Sequence, residues 1–178
     1  MIAKKFFSRT CQLLFVPLAL VALSGAKLPD EYSRVGAGDS APAFAVTTTD
    51  GAAIDTKALE GKVVLVNFFA TWCPPCRAKL PLIDKTIYQQ IDHKDLVVVN
   101  LGREHNSDEV AEFKADYGYA MPFAADPGRA IYSQYAEKMI PRSVVIGRDG
   151  NIVLHQQGSS PAEVEHLKQV IQQQLGAS

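Results

Sequence analysis

The sequence predicts an α/β domain with a mixed central sheet, helices on both faces and a β-hairpin near its N-terminus. Three observations carry this. Apolar runs alternate with helical patterns, two of the runs are apolar at consecutive positions, and a glycine-turn hairpin closes the series.

The elements follow in order. AFAVTTTDGAAID, Ala43 to Asp55, gives two short extended runs around Asp50-Gly51, a type I′ turn signal. KVVLVNFFA, Lys62 to Ala70, reads as a central strand buried on both faces. Pro74 suits the first turn of a helix, where a missing N–H costs nothing. That helix is expected to run to about Gln90, kinked at Pro81. DLVVVNLG, Asp95 to Gly102, is a second buried strand, and a helix from Ser107, as N-cap, to Tyr117 follows. A short strand at Met121 to Ala124 precedes a helix from Gly128 to Ala136. SVVIGRDGNIVLHQQG is a hairpin turning at Asp149-Gly150. Pro161 opens a last amphipathic helix, with Val164, Leu167, Val170, Ile171 and Leu175 inward.

Residues 1–26 stand apart. Lys4, Lys5 and Arg9 precede the apolar run Cys11 to Leu23, and Ser24-Gly25-Ala26 supplies small residues of a cleavage site. A run of thirteen residues falls short of the roughly 20 that span a bilayer. A secretory signal peptide is the expectation, with an uncleaved N-terminal anchor as the alternative. Residues 27–40 read as a linker and 41–178 as the domain. Without the leader, 15 basic residues face 19 acidic ones and no basic tract exists, which argues against nucleic acid. Two cysteines remain, Cys73 and Cys76, and export to an oxidising compartment lets such a pair form a disulfide.

What can TWCPPCR do? Covalent haem needs a histidine after the second cysteine, and Arg77 stands there. Zinc needs four ligands, and His93, His105, His155 and His166 have no ligand spacing; no metal is expected. A structural staple remains an alternative, although closing four residues stabilises by only about 2 kcal/mol before strain. Position favours chemistry. Cys73 sits where a central strand gives way to a helix, so free N–H groups and the helix dipole favour its thiolate. Cys76, one turn on, shares that helical face and can resolve a mixed disulfide. Trp72 shields the site or packs in the core.

VLVNFFATWCPPCRAKLP, with the downstream IPRSVVIGRDGNIV, resembles the exported thioredoxin-like thiol-disulfide oxidoreductases of the TlpA/ResA type, from about Ser40 to Gly176. NSDEVAEFKADYG and MPFAADPGRAIYSQY resemble the central insertion that separates this branch from minimal thioredoxins. The resemblance implies a thioredoxin-like fold, catalytic Cys73 and Cys76, and no cofactor beyond their disulfide. It implies a cis bond before Pro141, with Trp72, Ile140 and Pro141 contacting an extended substrate peptide. It implies protein thiols and disulfides as partners, a membrane-bound thiol electron carrier, and a periplasmic or other extracytoplasmic location. Reduction is implied more often than oxidation.

Two positions depart from that pattern: Asn67 stands where a buried aspartate is usual, and Lys79 where a glutamate is common. With Pro74 and Pro75 between the sulfurs, they are the expected tuning residues. Lys79 either favours the reduced pair by its charge or extends into solvent. Arg142, after the proline, either tunes partner choice or is exposed without a role. The rival functions are a thiol peroxidase, for which Val66 and Ala70 occupy the places of the expected proline and threonine, and a non-catalytic thioredoxin-like binding protein, with Met139 as the one hint of copper capture.

Overall fold

The structure is a computed structural model that describes residues 30–176. The leader, and with it the choice between signal and anchor, lies outside the described residues. No described helix is long and apolar enough to cross a membrane.

Five strands form the main sheet: β3 (Val63–Phe69), β4 (Leu96–Arg103), β5 (Phe123–Asp126), β6 (Arg142–Ile146) and β7 (Ile152–Gln157), in the order β5-β4-β3-β6-β7. β3, β4 and β5 run parallel, while β6 and β7 join antiparallel, so the sheet is mixed. A separate hairpin pairs β1 (Ala45–Thr47) with β2 (Ala53–Asp55).

All seven residues of β3 are buried, because β4 and β6 flank it and both of its faces are covered. Its side chains alternate. Val63, Leu65 and Phe69 enter a core beneath α1 (Pro74–Ile83), α2 (Ser107–Tyr117) and α4 (Pro161–Gly176). Val64, Val66 and Phe68 enter a second core with Phe44, Ile54 and α3 (Tyr132–Tyr135). Phe68 and Phe69 thus brace opposite faces at the end of β3. Phe68 meets the Tyr132 and Tyr135 rings, each at 5.3 Å, and Phe69 meets Phe113 at 5.4 Å and Phe123 at 5.3 Å. Each such pair adds roughly 0.5–1.5 kcal/mol beyond burial. The strand therefore hands a rigid end to the turn that follows.

Several expectations change in detail. Asp50-Gly51 is not a type I′ turn: only Gly51 has positive φ, at 86°, and its N–H donates to the Thr48 carbonyl across a four-residue turn. Asp149-Gly150 follows the same plan, with Gly150 N–H on the Gly147 carbonyl. The α1 helix ends at Ile83 and a π-helical turn, Asp84–Tyr88, takes over. There the buried Asp84 carboxylate is committed elsewhere, accepting from the Ala120 and Met121 N–H groups. Asn106, not Ser107, caps α2, through a reciprocal box with Glu109. The helix expected from Gly128 shrinks to Tyr132–Tyr135, since Gly128 and Arg129 both take positive φ and the Asp126 carboxylate binds the Ile131 and Tyr132 N–H groups.

The segment read as a linker is docked from Asp30 onward. Arg34 N–H donates to the Tyr135 carbonyl and Glu137 N–H to the Tyr32 carbonyl, each at 2.9 Å. Gly38 and Ile152 continue the contact along β7. The reason is Arg142, whose buried charge needs the carboxylate that Asp30 supplies.

Candidate active site

Ala70, Thr71 and Trp72 turn the chain from the end of β3 into α1, and Cys73 takes the N-cap position with extended backbone. Pro74 and Pro75 fill the first helical positions. Neither carries an N–H, so the first donor that α1 presents is that of Cys76, which donates to the Cys73 sulfur at 3.3 Å. A thiolate at Cys73 is stabilised there by one N–H and by the positive end of the helix. The two cysteines form a disulfide. Cys73 is 3% exposed and Cys76 fully buried, so Cys73 is the sulfur nearer to solvent.

The loop that closes the site comes from the far side of the sheet. The Ile140–Pro141 bond is cis, and the Ile140 carbonyl oxygen lies 4.0 Å from the Cys73 sulfur. The loop is tied from behind: Tyr132 Oη donates to the Met139 carbonyl at 2.8 Å. Arg142 donates from Nε to the same oxygen at 2.9 Å and from Nη2 to the Lys138 carbonyl at 3.0 Å. Arg142 itself is fully buried, not exposed, and grips Asp30 with two bonds of 2.7 Å. Burial opposes the Arg142 charge, and the hydrogen-bonded Asp30 carboxylate more than offsets this, raising its pKa. The same bonds hold Asp30 well below the usual carboxylate range.

Trp72 neither seals the site nor joins the core; it is 59% exposed, with the Arg103 guanidinium 5.7 Å from its ring centre. Met139, 45% exposed, adds an apolar tip on the same loop as Ile140.

The tuning positions lie behind the sulfurs. Asn67 is fully buried in a row across the sheet: its amide donates to Asn100 Oδ1 at 3.1 Å, and its oxygen accepts from Ser143 Oγ at 2.9 Å. A neutral amide satisfied on both sides does not exchange protons. Lys79 does not extend into solvent. It is fully buried between α1 and α4, and its amine has no hydrogen-bond partner among the described residues. Burial pushes its pKa down to about 8, with the Glu163 carboxylate opposing the shift.

Two residues at this site have contacts that the sequence does not reveal. Arg142 follows Pro141 as expected, but its ion-pair partner lies 112 residues away. His105 is 6% exposed; its Nε2 accepts from the Thr71 backbone N–H at 3.0 Å, and Nδ1 lies 3.3 Å from Glu109 Oε2. The available signal was NSDE, whose capping box puts His105 at the entry to α2.

The Redoxin family description matches residues 36–171. A thiol-disulfide oxidoreductase ResA from Bacillus thuringiensis is 33% identical over 149 residues, covering 80% of this chain and 86% of the relative. The chain belongs to the TlpA/ResA family of thioredoxin-like thiol-disulfide oxidoreductases. A solved thiol:disulfide interchange protein of the thioredoxin family from Chlorobium tepidum is similar at 27% identity and a TM-score of 0.64 over 78% of this chain and 97% of that one. A solved chain from Bacteroides thetaiotaomicron is similar at 34% identity and a TM-score of 0.76, over 81% and 92%. This TlpA/ResA-type protein is thus an enzyme that exchanges the Cys73–Cys76 disulfide with protein thiols. The places a peroxidase would fill with proline and threonine hold Val66 and Ala70, both apolar and fully buried; Val66 faces the core opposite Cys73.

Proposed function

We propose that this chain is an extracytoplasmic protein disulfide reductase in which Cys73 attacks and Cys76 resolves. The observation that carries it is the single N–H of Cys76 aimed at the Cys73 sulfur, with the Ile140 carbonyl 4.0 Å from that sulfur. In the reduced enzyme the Cys73 thiolate attacks one sulfur of a substrate disulfide. A mixed disulfide forms and the substrate's other sulfur leaves as a thiolate. The Cys76 thiolate then attacks the Cys73 sulfur, closing the enzyme's disulfide and releasing the second substrate thiolate. The substrate gains two electrons and the enzyme loses two, so a membrane-bound thiol electron carrier must restore the dithiol.

Trp72 and the Ile140-Pro141 edge receive the substrate peptide, which pairs with the Ile140 backbone as an added strand. Pro74, Pro75, Lys79 and Asn67 set the potential of the pair. The leader at residues 1–26 supports export, with retention as a membrane anchor as the variant of the same reading.

Insulin reduction by a dithiol is the direct test. Cys73→Ser should abolish turnover and form no adduct with substrate. Cys76→Ser should abolish turnover while accumulating a mixed disulfide through Cys73. Undiminished turnover by either variant overturns the assignment.

A further inference from the structure

The turn that delivers Cys73 has one side-chain support the exchange reaction does not call on. His105, at the end of β4, is buried beneath it. Because the Thr71 N–H donates to Nε2, that nitrogen carries a lone pair, and the ring's one proton sits on Nδ1, facing Glu109 Oε2 at 3.3 Å. Glu109 is fixed in turn by the Asn106 N–H at 2.9 Å, within the capping box of α2. A chain of bonds therefore runs from the start of α2, through a neutral imidazole, to a backbone N–H two residues before the sulfur.

We propose that His105 is a positioning residue for the attacking sulfur: its neutral ring holds the turn of residues 70–73 through Thr71, and protonation of Nε2 releases it. A proton on Nε2 sets donor against donor. The new N–H finds the Thr71 hydroxyl, 3.3 Å away, while the Thr71 backbone N–H loses its acceptor. The groups that bear on this ring are few. Glu109, from α2, favours the protonated form, and its own carboxyl is held below the usual range by the Asn106 N–H and then by His105. Arg103 and Glu104, the chain neighbours, pair with each other at 3.3 Å. The step moves one proton from solvent to Nε2 and makes no covalent change. The inference rests on Cys73 being the attacking sulfur.

The test is the alkylation rate of the reduced protein with iodoacetamide from pH 5 to 9, for wild type, His105→Gln and His105→Ala, beside the NMR titration of the His105 ring. Glutamine places an oxygen near Nε2 but takes up no proton. At pH 8 the glutamine variant should react within about twofold of wild type and the alanine variant about fivefold more slowly, the worth of one hydrogen bond. Wild type should show a step at the His105 midpoint that the glutamine variant lacks. Persistence of that step in His105→Gln, or an unslowed His105→Ala, overturns the proposal. Where His105→Ala fails to fold, the glutamine profile decides alone. Peptide mapping of the label separates the two readings: first labelling at Cys76 overturns the role of Cys73 and not the link between His105 and the turn.

Discussion

Arg142 and Asp30, 112 positions apart, form a two-pronged ion pair with both oxygens at 2.7 Å. Arginine suits this position because its planar fork fills two carboxylate oxygens while Nε and Nη2 still reach the Lys138 and Met139 carbonyls. One side chain thus joins the first described residue to the back of the loop that carries Ile140 and Pro141.

Removing the guanidinium leaves the Asp30 carboxylate without its cation and the Lys138 carbonyl without its donor, while the Met139 carbonyl keeps Tyr132 Oη. Arg142→Met should cost about 3 kcal/mol in urea unfolding, toward the low end for a buried pair because Asp30 is one-third exposed. Arg142→Lys should recover less than half of that. In insulin reduction both should raise KM more than they lower kcat, since Ile140 shifts while the sulfurs do not. The folded pKa of Asp30 is depressed, so the pair's stabilisation is complete above about pH 4 and declines below it.

Lys79 gives the opposite pH signature. Its folded pKa of about 8 lies below the 10.5 of an exposed lysine, so between these values the unfolded chain binds more protons and stability rises with pH. Wild type should therefore gain on the order of 3 kcal/mol from pH 8 to 10.5 relative to Lys79→Met, which has no such group. At pH 7 the methionine variant should be the more stable of the two. Urea midpoints of both proteins at pH 7 and pH 10 check this.

The charge of Lys79 also bears on the redox balance. A cation one turn from Cys76 favours thiolates over the uncharged disulfide, and so favours the reduced pair. Lys79→Glu should lower the reduction potential in a glutathione titration. An unchanged or higher value would reject this tuning role.

Asn67→Asp tests the polar row across the sheet. The Ser143 hydroxyl still finds an acceptor, but Asn100 Oδ1 then faces a second oxygen. Turning the Asn100 amide around would repair that and set its oxygen against the Pro122 carbonyl, which would keep only the Asn100 backbone N–H as donor. The new carboxyl is buried and disfavoured as an anion, so its folded pKa rises. Stability should equal or approach wild type near pH 4 and fall by about 2 kcal/mol or more as pH rises through the shifted value.

The sheet and the site were legible in the sequence for a shared reason. Val63 to Phe69 is apolar at every position but Asn67, and only a strand with both faces covered tolerates that; the helix opened by Pro74 then fixes where Cys73 must sit. What stayed hidden depended on long-range partners. Nothing near Asp30 announces Arg142, so residues 30–40 read as a linker. Lys79 stayed open between a charge acting on the cysteines and an extension into solvent, because helical periodicity does not reveal that α4 covers it. The aspartate-glycine turns misled because the dipeptide serves a four-residue turn as well as a two-residue one, and the difference lies in the sign of φ at Asp50.

The paired prolines between the sulfurs carry a final consequence. By withholding two amides, they leave the Cys73 sulfur one backbone donor from the helix, on a residue that moves with the second cysteine. Any change that draws the 73–76 segment apart during exchange weakens the nucleophile at the same moment. Chain geometry and sulfur chemistry are in this way geared together, and the dipeptide acts as the gear ratio.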